Sequence, residues 1–305
     1  MQEGVVPVTG GDQLYFRLVG APAADTVVLL HGGPALSSQY LEAGFGELGR
    51  RHALLFYDQR GRGRSSVPRS LDSLSLARDV ADLEEIRSHF QLGPMTLVSH
   101  QWGAGIALKY TVSHPAAVRR IAFLSPMAHK ADFVTELIRL PNDPAATQRH
   151  GRDRWAGMDT LDPSGYCRQY WGMSFSPVEE VSPEVITALA PSICDAPDDR
   201  LRLRDAVQRQ VFLTIGTWNW TDSIPLLHQP ALVVMGMGEP ALIAGARAWA
   251  GRLPDARLLV TGRSALFPWV DQGPAIRAAL DQFLDGSWPE AGFVVAAPPD
   301  SLRHS

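Results

Sequence analysis

The sequence predicts an α/β fold: a mostly parallel, doubly wound sheet into which a helical segment is inserted. Three observations predict it. Short apolar runs alternate with helical patterns along most of the 305 residues. The runs are largely apolar throughout, as is typical of parallel strands that are buried on both faces. The alternation, which predicts a sheet with helices on both faces, stops between about residues 127 and 222 and then resumes.

Six runs have the length and composition of buried strands. In chain order they are TVVLLHGG (26–33), HALLFYD (52–58), MTLVSH (95–100), RIAFLSP (120–126), ALVVMG (231–236) and ARLLVTG (256–262). The stretches between them have apolar residues at helical spacing, which predicts helices. The clearest are SLARDVADLEEIRSHF (75–90), AGIALKYTVSHP (104–115) and GPAIRAALDQFL (273–284).

The interrupting segment has no strand-like run and contains several tryptophans. It is predicted to be a helical lid, in which Trp155, Trp171 and Trp218 are candidates for binding a flat, apolar or cationic ligand. The predicted organisation is a discontinuous core domain of residues 1–126 and 223–288, a lid of residues 127–222, and a loose tail of residues 289–305.

The composition is that of an ordinary globular protein, with 45% hydrophobic and 20% charged residues. The net charge of −4 gives no reason to expect nucleic acid or an anionic membrane as a partner. No apolar run approaches the roughly 20 residues of a membrane span, and the N-terminal residues lack the pattern of a signal peptide. We therefore expect a cytoplasmic protein whose partner is a small molecule, and a homodimer is left open.

The two cysteines, Cys167 and Cys194, fit no metal-site spacing and indicate no disulfide framework. No other motif points to a metal or a cofactor. We therefore expect neither, and we expect both cysteines to be free thiols.

Four motifs follow one another at the predicted strand ends: HGGPALSS (31–38), DQRGRGRSS (58–66), SHQWGAG (99–105) and FPWVDQ (267–272). Together they resemble the α/β-hydrolase fold family, and more narrowly its proline iminopeptidase-like branch, where HGGPG, DQRGxGxS and GxSWGG occur in this order. The stretch WNWTDSIPLLHQPALVVMG (218–236) resembles the passage from lid to core in that branch. The resemblance covers roughly residues 10–285 and implies that Asp58 and Arg60 brace loops near the site.

The catalytic residues of that family do not carry over. The position of the nucleophilic serine falls on Gln101, and that of the acid falls on Glu239 in GMGEP. The histidine position falls on Leu266 when FPWVDQ is aligned, or on Arg263 when GRS is aligned instead. The family mechanism needs a hydroxyl, a base and an orienting carboxylate. Two of these three functions are missing, so the resemblance does not predict hydrolysis through an acyl-enzyme.

Backbone donors survive such replacements. In this fold the oxyanion hole uses the N–H of the residue after the nucleophile, here Trp102, and an N–H of the HGG turn, here Gly33. The turn directs the Gln101 side chain into the pocket, where we expect it to bind a ligand. Glu239 is either a general acid or base whose pKa an apolar neighbour such as Leu266 raises, or a carboxylate neutralised by Arg263. His31 and His100 are further candidates for substrate binding, although histidines in these motifs are more often structural.

Three functions are compatible with this pattern. The first is a non-hydrolytic enzyme that performs cyclisation, rearrangement, dehydration or lyase chemistry, for which proteins of this fold in natural-product pathways are the precedent. The second is a binding protein or pseudoenzyme, like the hormone receptors built on this fold. The third is a hydrolase with relocated catalytic residues, of which Cys167 is the weakest candidate. The coordinated replacement of the triad positions favours the first.

Overall fold

The computed structural model describes residues 1–20, 25–130, 144–175, 189–238, 240–262 and 266–290. Its centre is one sheet of eight strands: β1 (Gln2–Val8), β2 (Asp12–Val19), β3 (Val27–Leu30), β4 (Leu54–Tyr57), β5 (Met95–His100), β6 (Val118–Leu124), β7 (Ala231–Met235) and β8 (Ala256–Val260). Their order across the sheet is β1-β2-β4-β3-β5-β6-β7-β8. From β4 to β8 every neighbouring pair is parallel, which confirms all six predicted strands and the mostly parallel sheet.

The hairpin of β1 and β2 is not among the six strands predicted from the sequence. The two strands pair antiparallel with each other, and β2 pairs antiparallel with β4 at the edge of the parallel strands. The turn between them uses Gly10 and Gly11, both with positive φ. Burial alternates along β2 because only one face meets the core. The signal was therefore an alternating pattern beside a Gly-Gly turn rather than an apolar run.

The helices of the described chain are α1 (Gln39–Phe45), α2 (Leu76–His89), α3 (Trp102–Ser113), α4 (Pro144–Trp155), α5 (Met158–Leu161), α6 (Pro163–Phe175), α7 (Asp198–Ile215), α8 (Pro240–Ala250) and α9 (Trp269–Leu284). The three helices predicted most clearly correspond to α2, α3 and α9. The Ser75 hydroxyl caps α2 by accepting from the Arg78 N–H at 3.1 Å. None of the helices in the described ranges is long and apolar enough to cross a membrane.

Between β6 and β7 the described chain contains the helices α4 to α7. A single β-bridge between His129 and Asn219 joins the two ends of this segment at its base. The predicted tail is described only as far as residue 290.

The expectation of two free cysteines is wrong. Cys167 of α6 and Cys194 form a disulfide, with Cα atoms 5.9 Å apart. The two residues are separated by 27 positions in the chain. Only the packing of α6 against the segment that precedes α7 brings them together, so their spacing carried no signal.

Candidate active site

A sharp turn joins β5 to α3, and Gln101 lies at its tip. Its φ of 45° is uncommon for a residue with a side chain. Its N–H donates to the Leu124 carbonyl at 3.0 Å, which attaches the turn to the end of β6. The start of α3 lies against β3 so closely that a Cβ on Gly103 would collide with the Leu30 carbonyl oxygen. The missing side chain at Gly103 thus permits the turn that presents the Gln101 carboxamide.

A cavity of about 290 Å³ opens above this turn. From the sheet side it is lined by Gly33, Ala35, Leu36, Gln101, Met127 and Leu266. From the helices between β6 and β7 it is lined by residues that include His150, Tyr166, Tyr170, Trp171, Arg204 and Gln208. Gln101 is only 5% exposed. Its carboxamide faces this cavity and has no hydrogen-bond partner among the described residues.

Of the two expected backbone donors, Gly33 lines the cavity, whereas Trp102 follows Gln101 directly and is not itself a lining residue. Trp102 is the first residue of α3, and the first N–H groups of a helix have no acceptor within the helix. They also lie at the positive end of the helix dipole, which favours an oxygen with developing negative charge. Gly33 lines the cavity beside Gln101 and has φ of 129°, a conformation that suits glycine.

A buried ion pair connects Pro34, the residue after Gly33, with the side chain of Trp102. The Arg62 guanidinium donates from Nε to the Pro34 carbonyl at 2.7 Å and from Nη1 to Asp79 Oδ1 at 2.6 Å. The other carboxylate oxygen, Oδ2, accepts from the Trp102 indole Nε1 at 3.4 Å. The Arg62 and Asp79 side chains are 0% exposed. The pair therefore ties the loop after Gly33 to the start of α3.

Asp58 and Arg60 brace the neighbouring loops, as the family resemblance implied. The Asp58 carboxylate accepts the Ser38 N–H at 2.6 Å and the Arg64 N–H at 2.7 Å. Arg60 pairs with Asp82 at 2.6 Å and also with Asp12. Burial raises the pKa of Asp82 to about 6 and raises that of Asp58 above its usual value. These groups hold the fold and do not reach the cavity.

His31 and His100 were expected to bind substrate, and the structure corrects this. Both are fully buried, and neither lines the cavity. His31 donates from Nδ1 to the Gly32 carbonyl at 3.0 Å, and its Nε2 accepts the Gln59 N–H at 3.0 Å. Both ring nitrogens are thus used within the protein. Burial lowers the pKa of each histidine to about 3, so both rings are neutral.

His100 links the segment before α9 to the HGG turn. A carbonyl can only accept, so His100 Nε2 carries the proton that it donates to the Leu266 carbonyl at 2.7 Å. His100 Nδ1 is then an acceptor and receives the Tyr40 hydroxyl at 2.7 Å. The Tyr40 oxygen in turn accepts the Gly32 N–H at 2.7 Å. This chain positions Leu266 in the cavity wall beside Gln101.

The neutral His100 makes a testable contribution to acid stability. Its folded pKa of about 3 lies below the usual 6.5, so its contribution is complete above about pH 6.5 and is lost as the pH falls. The free-energy difference of unfolding between the native protein and His100→Gln should shrink by about 1.4 kcal/mol per pH unit below about pH 6. Urea unfolding at several pH values measures it. His89→Gln, which removes an exposed histidine, controls for the substitution itself. A difference that stays constant below about pH 6 in His100→Gln would contradict the prediction.

The three tryptophans differ in position. Trp171 lines the cavity, as predicted. Trp155 was expected to bind substrate but is 94% exposed at the end of the polar helix α4. Trp218 does not line the cavity either. Its ring instead stacks in an aromatic cluster, with its centroid 5.5 Å from that of Phe212 and 5.6 Å from that of Trp220.

Glu239 and Arg263, the predicted acid and its possible neutralising partner, lie outside the described residues. Their roles therefore stay predictions. Leu266 is 5% exposed and lines the cavity, as expected.

The helices between β6 and β7 contribute polar residues to the cavity wall that were not predicted from the sequence. On α7, Leu201, Arg204 and Gln208 line the cavity from one face. His150 of α4 also lines it, with its ring stacked 4.1 Å from that of Tyr166. The i, i+3, i+7 spacing on α7 was visible in the sequence, but which face meets the core depends on how the helix packs.

Known proteins agree with this architecture. A sequence model described as alpha/beta hydrolase fold matches residues 25–265. Proline iminopeptidase of Heyndrickxia coagulans is 24% identical over 93% of this chain and 98% of its own length. Proline iminopeptidase of Lactiplantibacillus plantarum is 25% identical over 90% and 97% of the respective chains.

A solved structure supports the same conclusion for the fold. The crystal structure of proline iminopeptidase of Mycobacterium smegmatis matches with a TM-score of 0.70 and 19% identity, over 93% of this chain and 98% of that one. At this level of identity, structural likeness establishes the fold and leaves the activity open. The chain belongs to the α/β-hydrolase fold family and, within it, resembles the proline iminopeptidase branch.

Proposed function

We propose that the protein is a non-hydrolytic enzyme that acts on a small organic substrate through backbone oxyanion stabilisation and acid/base catalysis. The observation that carries the proposal is the state of Gln101. Its carboxamide stands at the tip of the turn, is nearly buried, faces the cavity and lacks a hydrogen-bond partner among the described residues. A carboxamide is a poor nucleophile, but it can hydrogen-bond both an oxygen and a hydroxyl of a substrate.

No serine, threonine or free cysteine in the described lining of the cavity replaces the missing serine. Its described lining contains neither serine nor threonine, and its cysteine, Cys167, is in a disulfide. The residue that faces Gln101 from the segment before α9 is Leu266, which cannot act as a base. These features favour non-hydrolytic chemistry over a relocated Ser-His-Asp triad, which needs a hydroxyl or thiol beside a base.

The remaining groups suit reactions that pass through an enolate or another oxyanion. A base removes a proton from the carbon next to a carbonyl, and the electron pair moves to the oxygen, which the N–H groups of Trp102 and Gly33 stabilise. The enolate then expels a leaving group from the β-carbon, attacks an electrophile in the same molecule, or takes up a proton at another carbon. These outcomes are elimination, cyclisation and isomerisation, which are typical steps of natural-product pathways. We assign the proton transfer to Glu239 on its sequence position.

Fluorophosphonate probes and p-nitrophenyl esters test the absence of hydrolysis. The native protein should show neither stoichiometric labelling of a serine, measured by mass spectrometry, nor turnover of esters or proline amides. Gln101→Ser alone should also remain inactive, because a serine without a base is a weak nucleophile.

The triple variant Gln101→Ser, Glu239→Asp, Leu266→His is the matched comparison, since it supplies all three members of the family triad. Labelling of the native protein would refute the proposal and favour a relocated triad. A burst of acylation by the single variant would reveal a base that the sequence alignment misses.

A further inference from the structure

One guanidinium in the cavity wall forms no ion pair with any described residue. Arg204 lies on the face of α7 that lines the cavity, between Leu201 and Gln208. The residue is half-buried. No carboxylate of the described residues lies within 4.0 Å of its guanidinium, and Nη1 is its only nitrogen with a hydrogen-bond acceptor in that part of the chain.

The other two arginines of the cavity wall are neutralised. Arg154 pairs with Asp205 at 2.7 Å and with Asp159 at 3.9 Å. Arg202 pairs with Asp198 at 3.8 Å. Among the cavity arginines of the described chain, Arg204 is thus the one without an ion pair, and only at longer range does the Asp205 carboxylate stabilise its charge.

The Arg204 side chain is held in place all the same. The centre of its guanidinium lies 5.3 Å from the centroid of the Trp171 ring, within the range of a cation–π contact. Nη1 donates to the Cys167 sulfur at 3.1 Å, and that sulfur is fixed by the disulfide to Cys194. Sulfur is a weak acceptor, so these contacts orient the group without replacing an anion.

An unpaired, partly buried cation is unfavourable for the fold. Burial lowers the pKa of Arg204, which means that the surroundings disfavour its charged form. Guanidinium groups nevertheless stay charged at neutral pH. A ligand with an anionic group would offset this cost of burying the charge, because it would supply the ion-pair partner that the described residues do not provide.

We propose that Arg204 binds a carboxylate of the substrate, so that the enzyme acts on small organic acids with an apolar body. The inference rests on the proposed function and names its substrate class. A planar guanidinium matches a planar carboxylate through two parallel N–H···O bonds. The apolar body of the ligand lies between Trp171, Met127 and Leu266, and a second oxygen reaches the Gln101 end of the cavity. The cavity of about 290 Å³ restricts the ligand to a small molecule.

Calorimetric titration tests the inference. The dissociation constants of benzoate, trans-cinnamate and 2-naphthoate are measured at millimolar ligand concentrations and compared with those of the corresponding neutral primary amides. For the best acid of the three, the native protein should bind the carboxylate at least about tenfold more tightly than the amide. Arg204→Gln should abolish this preference, and Arg204→Lys should retain part of it, since it keeps the charge without the planar fork. Arg209→Gln is the matched control: it removes an exposed arginine of the same helix that does not line the cavity, and should keep the full preference.

Several outcomes would overturn the inference. They are equal binding of acid and amide to the native protein, a preserved preference in Arg204→Gln, and no binding of any of the three acids. Tighter binding of phenyl phosphate than of benzoate would assign the site to phosphate esters and refute the carboxylate. Because binding is measured without turnover, the result is separable from the proposed function. Labelling by a fluorophosphonate would refute the non-hydrolytic mechanism and leave a carboxylate preference at Arg204 intact.

Discussion

Replacing Arg62 by methionine should lower the free energy of unfolding by about 3–5 kcal/mol, the usual range when one partner of a buried ion pair is removed. The Arg62 and Asp79 side chains are 0% exposed and 2.6 Å apart, so the variant leaves a buried carboxylate without its cation. The Pro34 carbonyl also loses its donor. Urea unfolding of the native protein and the variant at neutral pH measures the difference.

The control is an ion pair of similar length in a different environment. Arg87 and Glu84 are 2.6 Å apart on α2, but their side chains are 28% and 29% exposed. Arg87→Met should lower the free energy of unfolding by no more than about 1 kcal/mol, because water screens such a pair. The double variant Arg62→Met, Asp79→Leu should be less destabilised than Arg62→Met alone, since no unpaired charge remains. A loss below about 1 kcal/mol in Arg62→Met would contradict the positioning role of this pair.

Glu239→Gln should lower the rate of the native reaction by about 10²–10⁴, the usual range for a lost general acid or base. The substitution keeps the size and hydrogen-bonding capacity of the side chain and removes its ability to transfer a proton. Gln101→Ala should lower the rate by about 10²–10³ if the amide donates to the developing oxyanion. Product formation on metabolite extracts of the source organism and the ligand-induced shift in melting temperature are measured together for each variant.

The control is Glu290→Gln, which changes an exposed glutamate near the end of α9 in the same way and should keep full activity. Full activity in Glu239→Gln would remove that carboxylate from the mechanism and make Arg263 the next candidate. Ligand binding without turnover in the native protein, unchanged in both variants, would identify a binding protein instead. The two measurements together therefore separate an enzyme from a receptor built on the same fold.

The local pattern of the chain was sufficient to predict the centre of the molecule. Parallel strands buried on both faces need continuous apolar runs, and six such runs became β3 to β8. The SHQWGAG motif likewise placed Gln101 at the tip of a strand–turn–helix, where its φ is positive. These features depend on residues close together in the sequence, so periodicity and turn chemistry suffice to predict them. The hairpin of β1 and β2 was not predicted, because buried and exposed residues alternate along a strand with one buried face and so form no apolar run.

Which side chains face the ligand was decided only by tertiary packing. His31 and His100 belong to the same motifs as Gly33 and Gln101, yet their rings turn inward and bond to protein groups. Trp155 and Trp171 were both predicted to bind a ligand, but Trp155 lies on the surface and Trp171 lines the cavity.

The pairing of Cys167 with Cys194 and the contact of Arg204 with the Cys167 sulfur depend in the same way on the packing of segments that are apart in the sequence. The sequence by itself determined the strands, the turn and the residue at its tip, because those follow from neighbouring residues. The tertiary structure alone decided the walls of the cavity, because a charge or a ring gains its partner only when distant segments pack together.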